Sequence, residues 1–566
     1  MPYQNYAVRV YENLRELYQA SGERWGEKTL FYEKKGGRYH RFSYGGYRED
    51  VDALGTELYH RGLAGKKILL AGKNCYEWAT AYMAAACLGT VVPVDREISA
   101  EELENIVRIA GIETVVCDES VSKKVTEGGI GVNVIPFDSL EKLIKKGKKR
   151  IEDGETDYLE RPIDRDSMCA LLFTSGTTGD AKGVMLSHRN LCFNISEMCR
   201  MFYVDEKDLF LSILPLHHAY ECTCGFLAPL SRGSEIAFSE GLRHVMENMR
   251  EVRPTVMLCV PLFLETMYRK IWANLKQNRL DTKVKTAIGM TNSIPSEKLR
   301  PLSKKKLFAD IHKNFGGRLR ALISGGAPAD PQVMRGLREL GIPTYQGYGL
   351  TECAPLVAIN RDTFYRDKSA GLATPNALLD IYDAQNDGIG EIRYQGENVM
   401  LGYYGQPEAT AEVIRDGWLY TGDLGYMDED GFLYVTGRKK NVIVTSGGKN
   451  VFPEELEYHL NKNPFIKESV VVGCFNPKRR EYDIVAVLRP DYERMEATYG
   501  IDYSNDKLRL EMKKAVTEVN GRVLPYKRIF TFLIRREEFP KTSSQKILRE
   551  GIIREANRSY LTKSEG

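Results

Sequence analysis

The sequence predicts an α/β protein with a large N-terminal domain, built from parallel-rich sheets with flanking helices, and a small, mobile C-terminal α+β domain. At 566 residues the chain is too long for one compact core. Short apolar runs alternate with amphipathic stretches from Phe42 onward, which is typical of parallel strands joined by helices. Past Gly437 this pattern changes, so we expect one domain over residues 1–437 and a second over 438–566.

The large domain is predicted from short apolar runs that are separated by helical patterns. Residues 47–61 have the periodicity of an amphipathic helix. Another helix is expected to begin after Asp330, because aspartate caps helix N-termini and Pro331 suits the first helical position. The predicted strands are residues 67–71, 90–94, 168–173, 235–238, 255–260, 319–323 and 344–346.

The C-terminal domain is predicted to mix short helices and strands. A short helix opens at Pro453, and a charged helix covers residues 507–520. Two apolar runs, 469–473 and 484–488, have the length of buried strands. A final strand, loop and helix complete what we expect to be a separate unit.

The overall charge argues against nucleic-acid binding. The 80 basic residues nearly cancel the 77 acidic ones, leaving a net charge of +3. Because Lys and Arg are interspersed with Asp and Glu along most of the chain, no basic stripe is expected. The N-terminus carries charges and has no apolar segment of the secretory type. Residues 79–94 are the most apolar stretch, and they are too short to span a bilayer.

The eleven cysteines are scattered singly, which predicts reduced thiols and a cytoplasmic location. Only Cys222 and Cys224 lie close together, just after His217 and His218. Their C-x-C spacing is not the usual zinc spacing and no second pair follows, so a metal site is disfavoured there.

A candidate phosphate-binding loop follows the strand at residues 168–173. Its glycines let backbone N–H groups converge on an anion, its hydroxyls add donors, and Lys182 adds a positive charge. It is not a Walker A loop, because no glycine precedes Lys182 and no Ser or Thr follows it. Ser/Thr/Gly-rich loops are often plain turns, so composition alone leaves both readings open. The loop residues are Thr174, Ser175, Gly176, Thr177, Thr178 and Gly179.

The order of residues from Thr174 to Gly183 resembles the signature loop of the adenylate-forming superfamily. That superfamily includes acyl-CoA synthetases, beetle luciferases and peptide-synthetase adenylation domains. Its other motifs follow here in their expected order, and the likeness extends from Phe42 to Arg549. The resemblance implies that ATP, with Mg²⁺, activates a carboxylic acid as an acyl-adenylate.

Two further motifs resemble the parts of the family site that hold the nucleotide. The segment 324–328 resembles the adenine-side loop, and 346–352 resembles the central motif. By that likeness Tyr348 stacks on adenine, Thr351 bonds the α-phosphate and Glu352 holds Mg²⁺, a cation that prefers carboxylate oxygens. The remaining residues implied at the nucleotide are Gly325, Gly326, Ala327, Gln346 and Gly347.

The boundary region resembles the ribose motif and hinge of the family. Asp423, in Tyr-Thr-Gly-Asp, is implied to accept bonds from the ribose hydroxyls, as acidic residues do in dinucleotide folds. Arg438 is implied to reach the ribose, and Lys440 to absorb a rotation of the small domain. Gly447 aligns with the glycine past which the pantetheine thiol enters, where only an absent side chain leaves room.

The segment 540–546 resembles the motif that carries the family's catalytic lysine, which corresponds to Lys546. The family usually places glycine before this lysine, whereas this chain has Gln545. The difference affects the loop conformation that we expect, and the lysine itself is retained.

Segments 253–261 and 263–268 resemble the long-chain fatty acid branch of the family, and their apolar side chains suit an alkyl tail or an ordinary core. His218 matches the position beside the bound carboxylate, although His217 could serve instead. The sequence ends at Gly566, soon after Lys546, so a free thiol acceptor is expected, and coenzyme A is the usual one.

Two alternative functions stay open at this point. The acyl group could pass to a separate carrier protein, or the chain could be a non-catalytic relative that binds a nucleotide or an acyl ligand. Peripheral membrane contact and a homodimer are also compatible with the sequence.

Overall fold

The computed structural model describes residues 4–174, 182–296, 299–445, 449–541 and 547–564. The elements up to residue 240 are α1 (Leu14–Trp25), β1 (Thr29–Lys35), β2 (Arg38–Ser43), α2 (Tyr44–His60), β3 (Lys67–Ala71), α3 (Tyr76–Leu88), β4 (Thr90–Val94), α4 (Ala100–Ala110), β5 (Thr114–Cys117), α5 (Glu119–Glu127), β6 (Asn133–Pro136), α6 (Leu140–Glu152), α7 (Asp157–Glu160), β7 (Met168–Thr174), β8 (Lys182–Ser187), α8 (His188–Met201), β9 (Leu209–Ser212), a π-helix (Tyr220–Leu227), α9 (Ala228–Ser231) and β10 (Glu235–Phe238).

The rest of the large unit contains α10 (Val245–Val252), β11 (Val256–Cys259), α11 (Pro261–Gln277), α12 (Asp281–Asn292), α13 (Leu299–Leu307), α14 (Ala309–Lys313), β12 (Ala321–Ser324), α15 (Pro331–Glu339), β13 (Thr344–Gly349), a 3₁₀ turn (Thr351–Cys353), β14 (Leu356–Ile359), β15 (Gly371–Ala373), β16 (Leu378–Tyr382), β17 (Gly390–Gln395), β18 (Gly402–Tyr403), α16 (Pro407–Val413), β19 (Ile414–Arg415), β20 (Trp418–Met427) and β21 (Phe432–Arg438).

After a 3₁₀ turn (Lys439–Asn441) the C-terminal elements are β22 (Ile443–Val444), β23 (Asn450–Val451), α17 (Pro453–Leu460), β24 (Ile466–Asn476), β25 (Glu481–Pro490), α18 (Tyr492–Tyr499), α19 (Asn505–Arg522), β26 (Thr531–Ile534) and α20 (Arg549–Ser564).

The predicted α/β class is confirmed, and the predicted strands of the large domain all form. Strands β3 to β7 make a parallel set in the order β7-β4-β3-β5-β6, which the antiparallel strands β8 and β18 extend. A second parallel set runs β13-β12-β11-β9-β10-β1. The sequence pattern did not separate these two sheets.

The second sheet continues from β13 into antiparallel strands in the order β14, β15, β21, β20, β17 and β16. Strand β20 alternates buried and half-buried residues over most of its length, which is typical of a sheet with one face toward solvent. The antiparallel strands bring residues more than seventy positions apart in the sequence beside the end of β13.

The start of α15 follows the predicted capping chemistry. The Asp330 carboxylate accepts a hydrogen bond of 2.8 Å from the backbone N–H of Gln332, and Pro331 occupies the first helical position. This helix returns the chain to β13. The capped loop therefore lies between β12 and β13, on the edge where the carboxyl ends of both strands meet.

The C-terminal elements form a three-stranded sheet in which β24 and β25 are antiparallel and β26 pairs in parallel with β25. Helices α17 and α19 cover one face, with Leu456 and Met512 in a shared core, and α20 covers the other. The predicted helix at Pro453 and the strand runs are confirmed. Within the described ranges, no helix is long and apolar enough to cross a bilayer.

Candidate active site

A buried carboxylate lies at the centre of the residues predicted to hold the nucleotide. Asp423 on β20 pairs across the ladder with Arg438 on β21, and the Nε of Arg438 lies 2.7 Å from Oδ1 of Asp423. The other oxygen, Oδ2, accepts a hydrogen bond of 2.7 Å from Oη of Tyr348, near the end of β13. Burial, together with the neighbouring Asp423, raises the pKa of Tyr348 well above its usual value, so the phenol remains a donor. The structure thus joins Tyr348, Asp423 and Arg438.

A second connected set joins the central motif to the base of the phosphate loop. Glu352 lies in the 3₁₀ turn beside Thr351, and its Oε1 accepts a hydrogen bond of 2.9 Å from Oη of Tyr403. The Nζ of Lys182 lies 4.7 Å from the centre of the Tyr403 ring, within cation–π range. Lys182 also pairs with Thr174 in the ladder between β7 and β8, at the two ends of the loop.

Tyr403 was not among the predicted site residues. It lies on the short strand β18, opposite Val184 of β8. The sequence signal was a Gly-Tyr-Tyr triplet after an apolar pair, which by itself is typical of a surface turn. Only the pairing of β18 with β8 shows that the first tyrosine lies between Lys182 and Glu352.

The adenine-side loop is closely packed from beneath. A Cβ at Gly325 would lie 2.8 Å from the ring of Tyr220, so a side chain there would displace that ring. The Oη of Tyr220 in turn donates a hydrogen bond of 2.9 Å to the carbonyl of Ile323. Gly326 has φ +83°, a conformation that favours glycine, and Ala327 is exposed beside it.

Gln346 has a scaffold position beneath this loop. Its Oε1 accepts a hydrogen bond from the backbone N–H of Ala329, and its Nε2 donates to the carbonyls of Asp367 and Ser369. The side chain therefore ties the loop after β12 to a later segment. Gly347, the next residue, lies against the backbone of Ala358, because a Cβ there would come within 3.1 Å of that carbonyl.

The two histidines of the predicted carboxylate position have different surroundings. The Nε2 of His217 lies 3.8 Å from a carboxylate oxygen of Asp95, and burial lowers the pKa of His217 to about 3. Its ring centre is 4.2 Å from that of His218, which is half-buried two residues before the π-helix. The two rings therefore lie side by side, and the prediction that His218 lies beside the acid stays a prediction.

The π-helix that follows contains a fully buried acid, Glu221. Burial raises the pKa of Glu221 to about 8, against a smaller opposing effect from the Ser212 hydroxyl. A Cβ at Gly225 would lie 2.7 Å from the Glu221 carboxyl carbon, so glycine makes room for this group one turn later. Cys222 and Cys224 are buried free thiols, and the described residues contain no cluster of three metal-ligating side chains.

The predicted acyl-lining segments are largely core. Val256 and Met257 on β11 are fully buried on opposite faces of the sheet, and Leu264 and Met267 on α11 pack in the same core as Met257. The region therefore attaches α11 to the sheet, as the structural alternative proposed.

Lys440, the predicted hinge residue, lies between charged groups from both sides of residue 437. Partial burial of the Lys440 amine, together with the nearby Arg438, lowers its pKa, while Glu550 and Asp423 oppose that effect. Its neighbour Lys439 pairs with Glu391 at 2.8 Å. Since Glu550 belongs to α20 and Asp423 to β20, Lys440 lies where the two units meet.

The predicted catalytic lysine lies outside the described residues, as do Gly447 and the loop residues Ser175, Gly176, Thr177, Thr178 and Gly179. The chain on either side of Lys546 is closed by an antiparallel pair between Lys541 and Ile547 and by a hydrogen bond of 2.8 Å from the N–H of Leu548 to the carbonyl of Pro540. Arg549, which follows, pairs with Glu457 of α17.

Sequence comparison defines the class of the protein. A family model described as AMP-binding enzyme matches residues 18–404, and a model of the AMP-binding enzyme C-terminal domain matches residues 440–558. The first match alone covers more than half of the chain. The protein belongs to the AMP-binding enzyme family.

Individual relatives agree with this assignment. The chain is 30% identical over 543 residues to long-chain-fatty-acid–CoA ligase 5 of Rattus norvegicus, covering 86% of this chain and 77% of that protein. It is 28% identical over 505 residues to long chain acyl-CoA synthetase 2 of Arabidopsis thaliana, covering 81% and 75%. The fold matches the crystal structure of ATP-bound MatB from Rhodopseudomonas palustris with a TM-score of 0.74, at 23% identity, over 97% of this chain and 100% of that one.

Proposed function

We propose that the protein is an ATP-dependent acyl-CoA synthetase that activates a medium- or long-chain fatty acid. The observation that carries the proposal is the convergence of two polar sets, Tyr348–Asp423–Arg438 and Lys182–Tyr403–Glu352, at the carboxyl edge of β13. The names of the relatives, long-chain-fatty-acid–CoA ligase and long chain acyl-CoA synthetase, support a fatty acid as the substrate and coenzyme A as the acceptor.

The residues present fit a magnesium nucleotide. Mg²⁺ is usually held by one or two carboxylates, with phosphate and water oxygens completing its shell. Glu352 supplies one such carboxylate, with Oε1 oriented by Tyr403, and no larger ligand cluster is needed. When bound, the ion would neutralise phosphate charge. Asp423 would accept the ribose hydroxyls, and the ring of Tyr348 would stack on adenine.

In the first step the fatty carboxylate attacks the α-phosphorus of ATP, and the bond to the pyrophosphate oxygen breaks. Two anions must approach each other, so the contribution of the protein is positioning and charge compensation. Lys182 and Thr351 would hold the phosphates, Lys546 would approach the attacking carboxylate, and His218 would lie beside it. No covalent bond to the enzyme forms.

In the second step the CoA thiol attacks the acyl carbon, and AMP leaves. This reaction needs access from another side, so we propose that residues 438–566 rotate about Lys440 between the steps, bringing Gly447 toward the thiol. The boundary at 437/438 falls just before the 3₁₀ turn Lys439–Asn441. The ion pairs across it, Lys439 with Glu391 and Lys462 with Asp330, each carry a partly exposed lysine, and such pairs suit a rotation.

Exchange of radiolabelled pyrophosphate into ATP tests the proposal. We expect exchange that requires Mg²⁺ and a fatty acid, and we expect acyl-CoA to form only when CoA is added. Acetate should be a poor substrate. If the exchange rate did not depend on the chain length of the acid, the fatty acid assignment would be wrong. If the acyl group were transferred only to an acyl carrier protein, that protein rather than CoA would be the acceptor.

A further inference from the structure

Four consecutive helices, α11 to α14, form a strongly basic segment that we call the helical arm (residues 261–313). The arm carries 12 Lys and Arg against four Asp and Glu, a net charge of +8. The whole chain has a net charge of only +3, so the remainder is acidic, at −5. The prediction that Lys and Arg are interspersed with Asp and Glu is therefore wrong for this segment. The near-zero net charge of the whole chain does not show the local excess of cations.

The cations of the arm are not neutralised by neighbouring acids. Among the described residues, the only arm cation within salt-bridge distance of a carboxylate is Lys313, whose Nζ lies 2.9 Å from Asp310. The basic run at residues 145–150 of α6 differs, because Lys145 pairs there with Glu141 and Lys148 with Asp50 at 2.7 Å. That helix therefore has a mixed-charge surface, whereas the arm has an excess of positive charge on its surface.

The same arm exposes large apolar side chains. They are between 42% and 65% exposed and lie on three helices and the turn between two of them: Leu262, Leu280, Met290, Leu299, Leu302 and Leu307. On α13, Leu299 and Leu302 share a face with Lys305 and Lys306, at spacings of three and four residues. Within α12, Thr291 is the one fully buried residue among those described. The arm therefore has an outer surface that is both apolar and cationic.

The arm is attached at the edge of the sheet that carries the candidate site. Helix α11 begins directly after β11, and its Leu264 and Met267 are buried against the sheet. The loop after β12 and the central motif after β13 leave the sheet at that same carboxyl edge. A surface bound by the arm would thus lie beside the site rather than on the far side of the protein.

We infer that the helical arm docks the protein on an anionic lipid bilayer. Helices that join a cationic face to exposed leucines lie in the membrane interface, where the leucines enter the acyl boundary and the lysines meet the headgroups. A soluble acidic protein would use the charges but would not require leucines spread over three helices. Docking would place the candidate active site beside the bilayer, into which long acyl chains partition. This consequence rests on the proposed function.

Co-sedimentation of the full-length protein with lipid vesicles tests the inference without any substrate. We expect binding to equimolar phosphatidylcholine and phosphatidylglycerol, weakened by salt, and much weaker binding to phosphatidylcholine alone. The double variant Lys305→Glu/Lys306→Glu should bind roughly 30-fold more weakly. Leu299→Gln/Leu302→Gln should lose roughly tenfold or more.

Matched variants elsewhere distinguish the arm from general charge and hydrophobicity. Lys146→Glu/Lys149→Glu on α6 changes the net charge equally, and Leu510→Gln/Leu524→Gln removes two leucines that are also exposed. Both controls should bind like the wild type. Equal losses in arm and control variants, or no binding to anionic vesicles, would overturn the inference, as would binding to purified acyl carrier protein with none to vesicles.

Pyrophosphate exchange with a short, water-soluble fatty acid separates this inference from the proposed function. The arm variants should retain that exchange because none of the four residues belongs to the site. Vesicle binding with no exchange in any variant would refute the enzyme assignment alone, whereas exchange with no vesicle binding would refute the docking alone.

Discussion

The large unit (residues 1–437) and the small unit (residues 438–566) hold their parts of the candidate site by different means. In the large unit, the buried Asp423 accepts a hydrogen bond from Tyr348, and Glu352 accepts one from Tyr403 on a neighbouring sheet. The small unit is linked by ion pairs whose lysines are partly exposed, such as Lys439 with Glu391 and Lys462 with Asp330 at 3.4 Å. Buried charge-assisted bonds set a geometry, whereas ion pairs that reach solvent typically contribute only about 0–1 kcal/mol and are easily exchanged.

This difference suits a reaction in two steps. The large unit, which would hold the nucleotide, must keep its geometry while first the acid and then the thiol react. The small unit, which carries Lys546, must move toward the nucleotide for the first step and away from it for the second. The predictions below test whether a substitution in one unit affects only one of the two steps. The predicted effects on the reaction are given from the largest to the smallest, and an effect on stability follows them.

The largest effect is expected for Lys546→Ala. Loss of one electrostatic contact in the transition state typically costs roughly 10²–10³ in rate, so adenylate formation should collapse. Thioester synthesis from supplied acyl-AMP should persist, because that step does not need a cation at the attacking carboxylate. The two half-reactions are measured separately, with Lys513→Ala on α19 as the control. Equal loss in both would remove Lys546 from its assigned role.

The next effect is expected for Lys440→Pro. Proline sets φ near −65° and restricts the residue before it, so the small unit should be held in one orientation. If the held orientation is the adenylating one, pyrophosphate exchange should continue while turnover of acyl-AMP with CoA falls roughly 10²-fold, the cost of misplacing reacting groups. Lys439→Pro is unsuitable as a control because it removes the Glu391 pair, so Lys440→Ala serves instead. Thioester formation near the wild-type rate, in a folded variant, would refute the single hinge.

A third prediction concerns the large unit, at Tyr403→Phe. The change removes the hydroxyl bonded to Glu352 and keeps the ring under Lys182. Hydrogen bonds to charged groups contribute about 1.5–3 kcal/mol, so we expect KM for MgATP to rise by about tenfold or more. Both half-reactions that use bound nucleotide should be affected. Tyr404→Phe, on the adjacent residue, is the matched control, and a Mg²⁺ titration that is identical for both variants would contradict the role given to Tyr403.

The sequence predicted the elements of the parallel sheets well because their signal is local. Apolar runs at residues 67–71, 90–94 and 235–238 coincide with strands, and the cap at Asp330 depends on two adjacent residues. The family motifs likewise indicated Tyr348 and Asp423, but not that the two side chains bond each other.

What the sequence could not predict depends on pairings between distant segments. Tyr403 comes beside Lys182 only because β18 adds to the edge of β8. The cationic arm was overlooked for a different reason, since overall charge sums over the acidic remainder of the chain. Glu221 is the third case, because nothing in the local pattern indicates a carboxyl enclosed by a π-helix.

The last prediction concerns stability rather than rate, and it tests whether burial governs the region around Glu221. The buried Glu221 has a pKa of about 8, raised by burial from an ordinary 4.5. Between these values the folded state keeps a proton that the unfolded chain has released. Stability therefore falls as pH rises from about 4.5 to 8, by about 1.4 kcal/mol per pH unit from this group, and it levels off above. Glu221→Gln removes that slope, because the amide does not titrate.

The variant should therefore gain stability over the wild type as the pH is raised from 5.5 to 8. Urea unfolding at both pH values measures the difference, and Glu412→Gln on the exposed side of α16 provides a control that should follow the wild type. Changes in the small unit should not alter this dependence, since Glu221 lies within the large one. Parallel stability curves for Glu221→Gln and the wild type would mean that the carboxyl is ionised in the folded protein, and the burial argument for this region would then fail.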